Sequence, residues 1–206
     1  MNALVTLLTT GPLANSGFGS NGLPYQVPIH PNLVHLTLGL FIAAIAFDIV
    51  GVFFPLDKQV FKALDIPATR SNFFDVGWYN MVAAAVVTFF TVAAGFYEIL
   101  LADYAEAATS VWGLHAQETS LWHGVGGVAL LFLIVAMAIW RGFQRFLWRR
   151  ERSRQVQWSY LLAGLGIFAI MFVHGTLGAH LGGEFGVHVS ADLLLRLGED
   201  PNVVLK

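Results

Sequence analysis

The chain alternates between four long apolar stretches and shorter, more polar connections. The apolar stretches cover roughly residues 33–55, 76–101, 121–140 and 158–180. Each has about 20 residues or more, which is enough for a helix to cross a hydrocarbon core of ~30 Å. Lipid offers no hydrogen-bond partner to a free backbone amide, so these stretches should be helices. The pattern predicts an all-α fold, a four-transmembrane-helix bundle with short extensions on its outer side.

Composition supports a membrane protein and excludes several classes of site. The 206 residues are 56% hydrophobic and only 12% charged, with a mean hydropathy of +0.66, whereas about a quarter of a soluble domain is charged. The chain has no cysteine, which excludes disulfides, thiolate-ligated iron–sulfur clusters and covalent attachment of c-type haem. It has no phosphate-binding loop, no His-Glu-x-x-His and no nucleophile elbow. Because no catalytic motif is found, we expect a redox or structural subunit rather than a stand-alone enzyme, although enzymatic activity is left open. We expect no nucleic-acid partner.

Three segments follow from the same pattern. Residues 1–32, rich in Gly, Pro, Asn and Ser over 11–31, are predicted to be an irregular outer segment. Residues 33–181 form the predicted four-helix membrane domain. Residues 182–206 form an outer tail, in which residues 190–197 could make one short helix.

The basic residues predict the orientation. All Lys and Arg except Arg196 and Lys206 lie in the connections between the first and second and between the third and fourth stretches. Cytoplasmic connections carry an excess of Lys and Arg, so these two should face inward. Both termini are then expected on the periplasmic or lumenal side of a bacterial plasma membrane or a thylakoid. We interpret the basic residues of the third connection as determinants of this orientation: Arg141, Arg145, Arg149, Arg150, Arg152 and Arg154.

On this topology every histidine falls on the outer side. Three of them precede a glycine by one helical turn: His35 with Gly39, His123 with Gly127 and His174 with Gly178. Residues i and i+4 share a helix face, and a glycine there would clear space beside the imidazole for a flat macrocycle. A haem b held by two histidines needs ligands from different helices and a neighbouring helix surface without bulky side chains. We therefore predict His35, His123 and His174 as cofactor or metal ligands, while His30, His115 and His188 are interpreted as interfacial or loop residues.

The histidines and the acidic residues near them allow other interpretations. A histidine near the end of a membrane helix often only hydrogen-bonds at the interface, and glycine often serves close helix packing. The histidines, with His180 added, could instead hold copper or zinc transiently in a structural or assembly subunit. Glu98 and His180 are candidates to orient the ligands, because a carboxyl at the depth of Glu98 needs a partner. Asp48 is expected to be structural, with Lys58, Lys62 or water as its partner.

Several segments of the chain resemble one family of bacterial membrane proteins, catalogued as domain of unknown function 2231. The resemblance is strongest at residues 30–40, which read His-Pro-Asn-Leu-Val-His-Leu-Thr-Leu-Gly-Leu. It extends to Ala94-Gly95 with the acid Glu98, to His123, and to residues 178–187, where His180 and Phe185 depart from the family pattern.

The resemblance implies a four-helix membrane protein without an assigned activity, with outer histidines proposed to bind haem or metal. Residues 23–35 resemble the cyanobacterial branch, whose relatives accompany respiratory oxidase subunits. This implies an accessory subunit for electron transfer or stability. Its partners would be membrane lipids and other membrane subunits, a haem-copper oxidase or a photosynthetic complex among them.

Overall fold

The fold is built from helices. The computed structural model describes residues 21–64, 67, 69–102, 109–148 and 155–204. The helices in chain order are α1 (Ile29–Ala63), α2 (Arg70–Leu100), α3 (Ala116–Gly142), α4 (Trp158–Gly183), α5 (Ser190–Arg196) and α6 (Pro201–Val204). A π-helical turn, Phe143–Leu147, continues α3. The described residues contain no β-strand, only an isolated bridge between Thr109 and His115, so the all-α class is confirmed.

Four helices are long and apolar enough to cross a membrane, as predicted. The segments concerned are Ile29–Phe54, Arg70–Leu100, Ala116–Leu147 and Trp158–Gly183. The first begins four residues earlier than its apolar stretch, with Pro31 in its first turn. Proline is tolerated there because the first amides of a helix have no intrahelical acceptor. This early start places His30 on α1.

The chain forms two compact units. The histidine unit comprises the described residues of Met1–Pro31, Ala93–Val125 and His174–Lys206, and it holds every histidine except His35. The arginine unit comprises the described residues of Asn32–Val92 and Gly126–Val173. The predicted membrane domain over 33–181 is thus divided between both units.

The arginine unit has a large apolar core around Phe41, Phe74, Met81, Ile134 and Leu161. Its buried residues come from all four long helices, which is expected because none of those helices has a strongly polar face. Glycine allows two close approaches in this unit. A Cβ at Gly51 would lie 2.6 Å from the ring of Phe74, and one at Gly77 would lie 2.5 Å from a carboxylate oxygen of Asp48.

The described partner of Asp48 is Arg141 rather than Lys62 or water, while the side chain of Lys58 lies outside the described part of the structure. The predicted placement of Arg141 in a connection is wrong. Arg141 lies on α3 and is fully buried, as is Asp48. Its Nε and Nη2 donate to the two carboxylate oxygens of Asp48, each at 2.9 Å. Further donation reaches the backbone oxygens of Phe74 and Gln155. A buried charge needs such a partner, and a bidentate guanidinium matches both oxygens of a carboxylate at once.

The histidine unit has a smaller apolar core of Ala116, Leu181 and Phe185. The short helix expected over 190–197 is present as α5. The predicted irregular segment 1–32 is described only from Asn21; residues 21–28 are irregular, and residues 1–20 lie outside the described part.

Candidate functional site

Three histidines from three helices lie in a row within the histidine unit. The Nε2 atoms of His30 on α1 and His123 on α3 are 3.4 Å apart. Their rings meet edge to face, with centroids 5.7 Å apart and planes at 86°. On the other side of His123, the ring of His174 on α4 is stacked at 4.3 Å and 19°. His123 is therefore the central member of this row, which we call the histidine row.

Two glycines leave the space that the rings of His30 and His123 occupy. A Cβ at Gly95 on α2 would lie 2.8 Å from ring atoms of His30, and one at Gly178 on α4 would lie 2.9 Å from Cε1 of His123. Gly178 thus makes room for a histidine of another helix rather than for His174, one turn before it. A Cβ at Gly39 would meet nothing within 4 Å.

Hydrogen bonding fixes the tautomer of His174. Its Nε2 is 2.8 Å from the backbone oxygen of His123, and because a carbonyl oxygen only accepts, this Nε2 carries a hydrogen. The Nδ1 of His123 is buried and has no hydrogen-bond partner among the described residues. For the contact between His30 and His123, either Nε2 could be the donor.

The pair His30–His123 has a spacing suited to a metal ion. Two nitrogens bound at ~2.0–2.1 Å in tetrahedral geometry are ~3.3–3.4 Å apart, and the observed separation is 3.4 Å. Imidazole nitrogens suit zinc and copper. Within the described ranges, no group of three or more His, Asp or Glu side chains is arranged to hold a metal ion. Two protein ligands are thus what the histidine row supplies.

Glu98 on α2 is buried and binds the start of α1. Its Oε1 accepts from the backbone amides of Ile29 at 2.7 Å and His30 at 3.0 Å, and from the hydroxyl of Tyr25 at 2.9 Å. A carboxylate is favourable at a helix N-terminus, where amides lack acceptors and the helix dipole is positive. Glu98 therefore positions His30 through its backbone amide. Partial burial, together with the hydrogen bond to Glu98, raises the pKa of Tyr25 to about 12.

Two other histidines of the histidine unit, His180 and His188, have partners outside the row. His180 is buried; its Nδ1 pairs with Glu184 at 3.0 Å, and its ring meets Trp112 edge to face. His188 contacts two backbone oxygens through its two ring nitrogens. The predicted ligand His35 lies in the arginine unit with an exposed side chain, as does Gly39.

Sequence reasoning missed His30 as a member of this row. His30 and His123 are 93 residues apart, and the hydropathy pattern began the first helix after His30. One signal was available: Pro28 and Pro31 flank a typical helix start. That signal would have placed His30 in the first turn of α1.

Comparison with known proteins identifies the family. A family model of predicted membrane proteins, domain of unknown function 2231, matches residues 26–191. This range includes the whole histidine row, Glu98 and both residues of the buried ion pair. No curated protein and no solved structure matches the chain. The four apolar helices and the extent of this match lead to one conclusion: the chain belongs to the membrane-protein family known as domain of unknown function 2231.

Proposed function

We propose that this membrane protein binds a copper or zinc ion through the Nε2 atoms of His30 and His123. The observation that carries the proposal is the 3.4 Å separation of these two atoms, which matches two nitrogen ligands of one tetrahedral ion. Gly95 and Gly178 support it, since they leave room for the two rings.

A site with two protein ligands leaves coordination positions for water, for a transferred ligand or for a partner protein. Closed structural zinc sites use four protein ligands, so an ion held by His30 and His123 should exchange readily. We infer a role as a structural or assembly subunit that holds metal transiently. In this role His174 stacks on His123 and donates to its backbone, which restrains the central ligand.

The test is metal retention by the full chain in detergent. The protein is stripped with a chelator, loaded with Cu or Zn, desalted and analysed for metal. We expect the natural chain to retain about one ion. We expect His30→Ala and His123→Ala to retain none. The matched control is His115→Ala, because His115 is exposed and outside the row. Absence of retained metal in the natural chain, or equal retention in all three variants, would overturn the proposal.

A second candidate function, a haem b subunit of a redox complex, is favoured by one observation. His35 and Gly39 lie one turn apart on α1, both exposed, and the space beside Gly39 is open. An ionisable side chain exposed on a membrane helix is costly and is often functional. A haem ligated by His35 would then be shared with a partner such as an oxidase or a photosynthetic subunit. The stacked rings of His123 and His174 favour a small ion over a haem at the histidine row itself.

An absorption spectrum separates the two candidates. A haem protein shows a Soret band and bound iron, which we expect His35→Ala to remove and His30→Ala to leave in place. Zinc or copper retention with no Soret band excludes the haem candidate for the isolated chain. Co-purification of partner subunits, compared between the natural chain and His35→Ala, tests the role in a complex.

A further inference from the structure

His188 follows α4 and lies outside the four apolar segments. Its Nδ1 is 3.1 Å from the backbone oxygen of Asn21, and its Nε2 is 2.8 Å from the backbone oxygen of Glu98. Both partners are carbonyl oxygens, which only accept hydrogen bonds. A neutral imidazole has one N–H, so only the imidazolium can donate to both oxygens at once.

The backbone of His188 provides a second observation. Its φ is 58°, in the left-handed region that residues other than glycine seldom adopt. Such a conformation persists where the surroundings hold it in place. The two ring contacts are the interactions that tie this residue to the N-terminal segment and to α2.

The third observation is the position of the backbone oxygen of Glu98, which His188 contacts. Glu98 lies in the last turn of α2, which ends at Leu100. Its backbone oxygen also accepts from the amide of Leu101 at 3.1 Å, and a carbonyl oxygen has two lone pairs. The C-terminal turn of a helix carries a partial negative charge and favours a cation beside it. A protonated His188 supplies this cation, whereas a neutral ring does not.

We propose that His188 is an acid-stabilised clamp that joins the segment before α5 to Asn21 and to the end of α2. The proposal goes beyond metal binding and does not depend on it. Imidazole changes its charge in the physiological range, between about pH 5 and pH 8. On acidification both hydrogen bonds form; as pH rises the ring loses one N–H and the clamp loses one bond.

The charged and titratable groups around His188 fit this direction. From α2, the Glu98 carboxylate is engaged by Tyr25 and by the start of α1. From α5, Asp192 and Arg196 line a cavity of about 40 Å³ together with His188 and Asn21. Nε of Arg196 and Oδ2 of Asp192 are 2.6 Å apart. The charge of Arg196 is therefore balanced by Asp192, and Arg196 does not stand as an unpaired cation beside the imidazolium. The cavity has room for water, which can hydrate the carbonyl oxygen that a neutral His188 leaves.

The test is amide hydrogen exchange of the full chain in detergent over this pH range, with rates corrected for the intrinsic effect of pH. We expect protection of residues 186–198 to fall as pH rises in the natural chain. In His188→Gln, which keeps an amide donor but does not titrate, protection should be independent of pH. His115→Gln is the matched control and should behave as the natural chain does. Protection that is independent of pH in the natural chain, or dependent on pH to the same extent in His188→Gln, would overturn the clamp.

A second measurement does not require a folded variant. Nitrogen chemical shifts of histidine report which ring nitrogens carry hydrogen. For His188 in the natural chain we expect both nitrogens protonated at the acidic end and one at the alkaline end. A neutral His188 ring throughout the range would also contradict the proposal.

Discussion

Single side-chain volumes decide whether the two imidazoles of the proposed metal site can meet. The ring of His123 fills the space that a methyl group would need at Gly178, and the ring of His30 does the same at Gly95. Other glycines of α4, Gly175 and Gly182, have nothing within 4 Å of an added Cβ. The same substitution therefore has different consequences at positions one turn apart.

Gly178→Ala should displace the ring of His123 and weaken metal retention. The added Cβ would lie 2.9 Å from Cε1 of His123, and overpacking of this kind costs about 1–3 kcal/mol. The matched control Gly182→Ala adds the same methyl group to open space on the same helix, so retention should not change. Metal analysis after loading and desalting measures both. Full retention in Gly178→Ala would mean that the ring position does not matter.

Tyr25 should lose its proton only at high pH, and its contribution to the free energy of unfolding should be lost over the same pH range. Its pKa is raised to about 12, above the ordinary value of ~10, because partial burial disfavours the charged phenolate and because the protonated hydroxyl donates to Glu98. The contribution is therefore complete below pH ~10 and is lost as pH rises through about 12. In an alkaline titration of phenolate absorbance, Tyr25→Phe should lose one tyrosine from the phase near pH 12. The same amplitude in the natural chain and in Tyr25→Phe would contradict the prediction.

At the scale of the elements, two buried carboxylates join helices by different means. Glu98 of α2 caps the backbone of α1, whereas Asp48 of α1 binds the guanidinium of Arg141 on α3. Apolar packing alone is a weak guide to helix register in a membrane, because lipid is as apolar as the side chains. These polar contacts supply direction and register that apolar faces do not.

Removing the Glu98 carboxylate should loosen the first turn of α1. Glu98→Ala leaves the partly buried amides of Ile29 and His30 without this acceptor. A fully buried donor left unsatisfied costs about 1–3 kcal/mol, so we expect a loss near the lower end of that range. Glu98→Gln keeps an acceptor oxygen, so its effect should be smaller. Amide exchange at the start of α1 measures the change. Glu118→Gln is the control, because Glu118 is exposed and accepts from the backbone of His115 at the start of α3; faster exchange at α1 in that variant would point to a general effect.

The buried pair should show strong coupling. Asp48→Asn or Arg141→Gln alone leaves an uncompensated buried charge, at a cost of about 3–5 kcal/mol. The double variant has no such charge, so its loss of stability should be smaller than the sum of the two single losses. Thermal unfolding in detergent gives the comparison. Arg145→Gln, which removes a partner of the half-exposed Asp75, should cost at most about 1 kcal/mol; additive losses at Asp48 and Arg141 would contradict the coupling.

The sequence predicted elements better than it predicted contacts, for a physical reason. Apolar length determines where a helix can cross lipid, so all four spans and the short α5 were found. Charge placement near a span is ambiguous, because a basic residue at a helix end can be a determinant of orientation or the partner of a buried acid. Arg141 is the second kind, 93 residues from Asp48. Contacts such as this one, and that between His30 and His123, depend on how the helices pack, which periodicity does not encode.

At the scale of the whole molecule, the orientation in the membrane decides which compartment the proposed metal site and His188 face. The two connections rich in Lys and Arg predict that both termini face outward. The chain has no cysteine, so a single introduced cysteine reports on its own surroundings without background. Val203 in α6 and Ala63 at the end of α1 are exposed positions suited to this.

In intact cells, a membrane-impermeant maleimide should label Val203→Cys and should label Ala63→Cys only after the cells are opened. The physical reason is that Ala63 precedes a basic connection, which is retained on the cytoplasmic side, while α6 follows the fourth span. The cysteine-free natural chain is the control for labelling of other proteins. If Ala63→Cys is labelled in intact cells and Val203→Cys is not, the orientation is reversed. The histidine row and His188 would then respond to cytoplasmic metal and pH, and the conditions for testing both proposals would change accordingly.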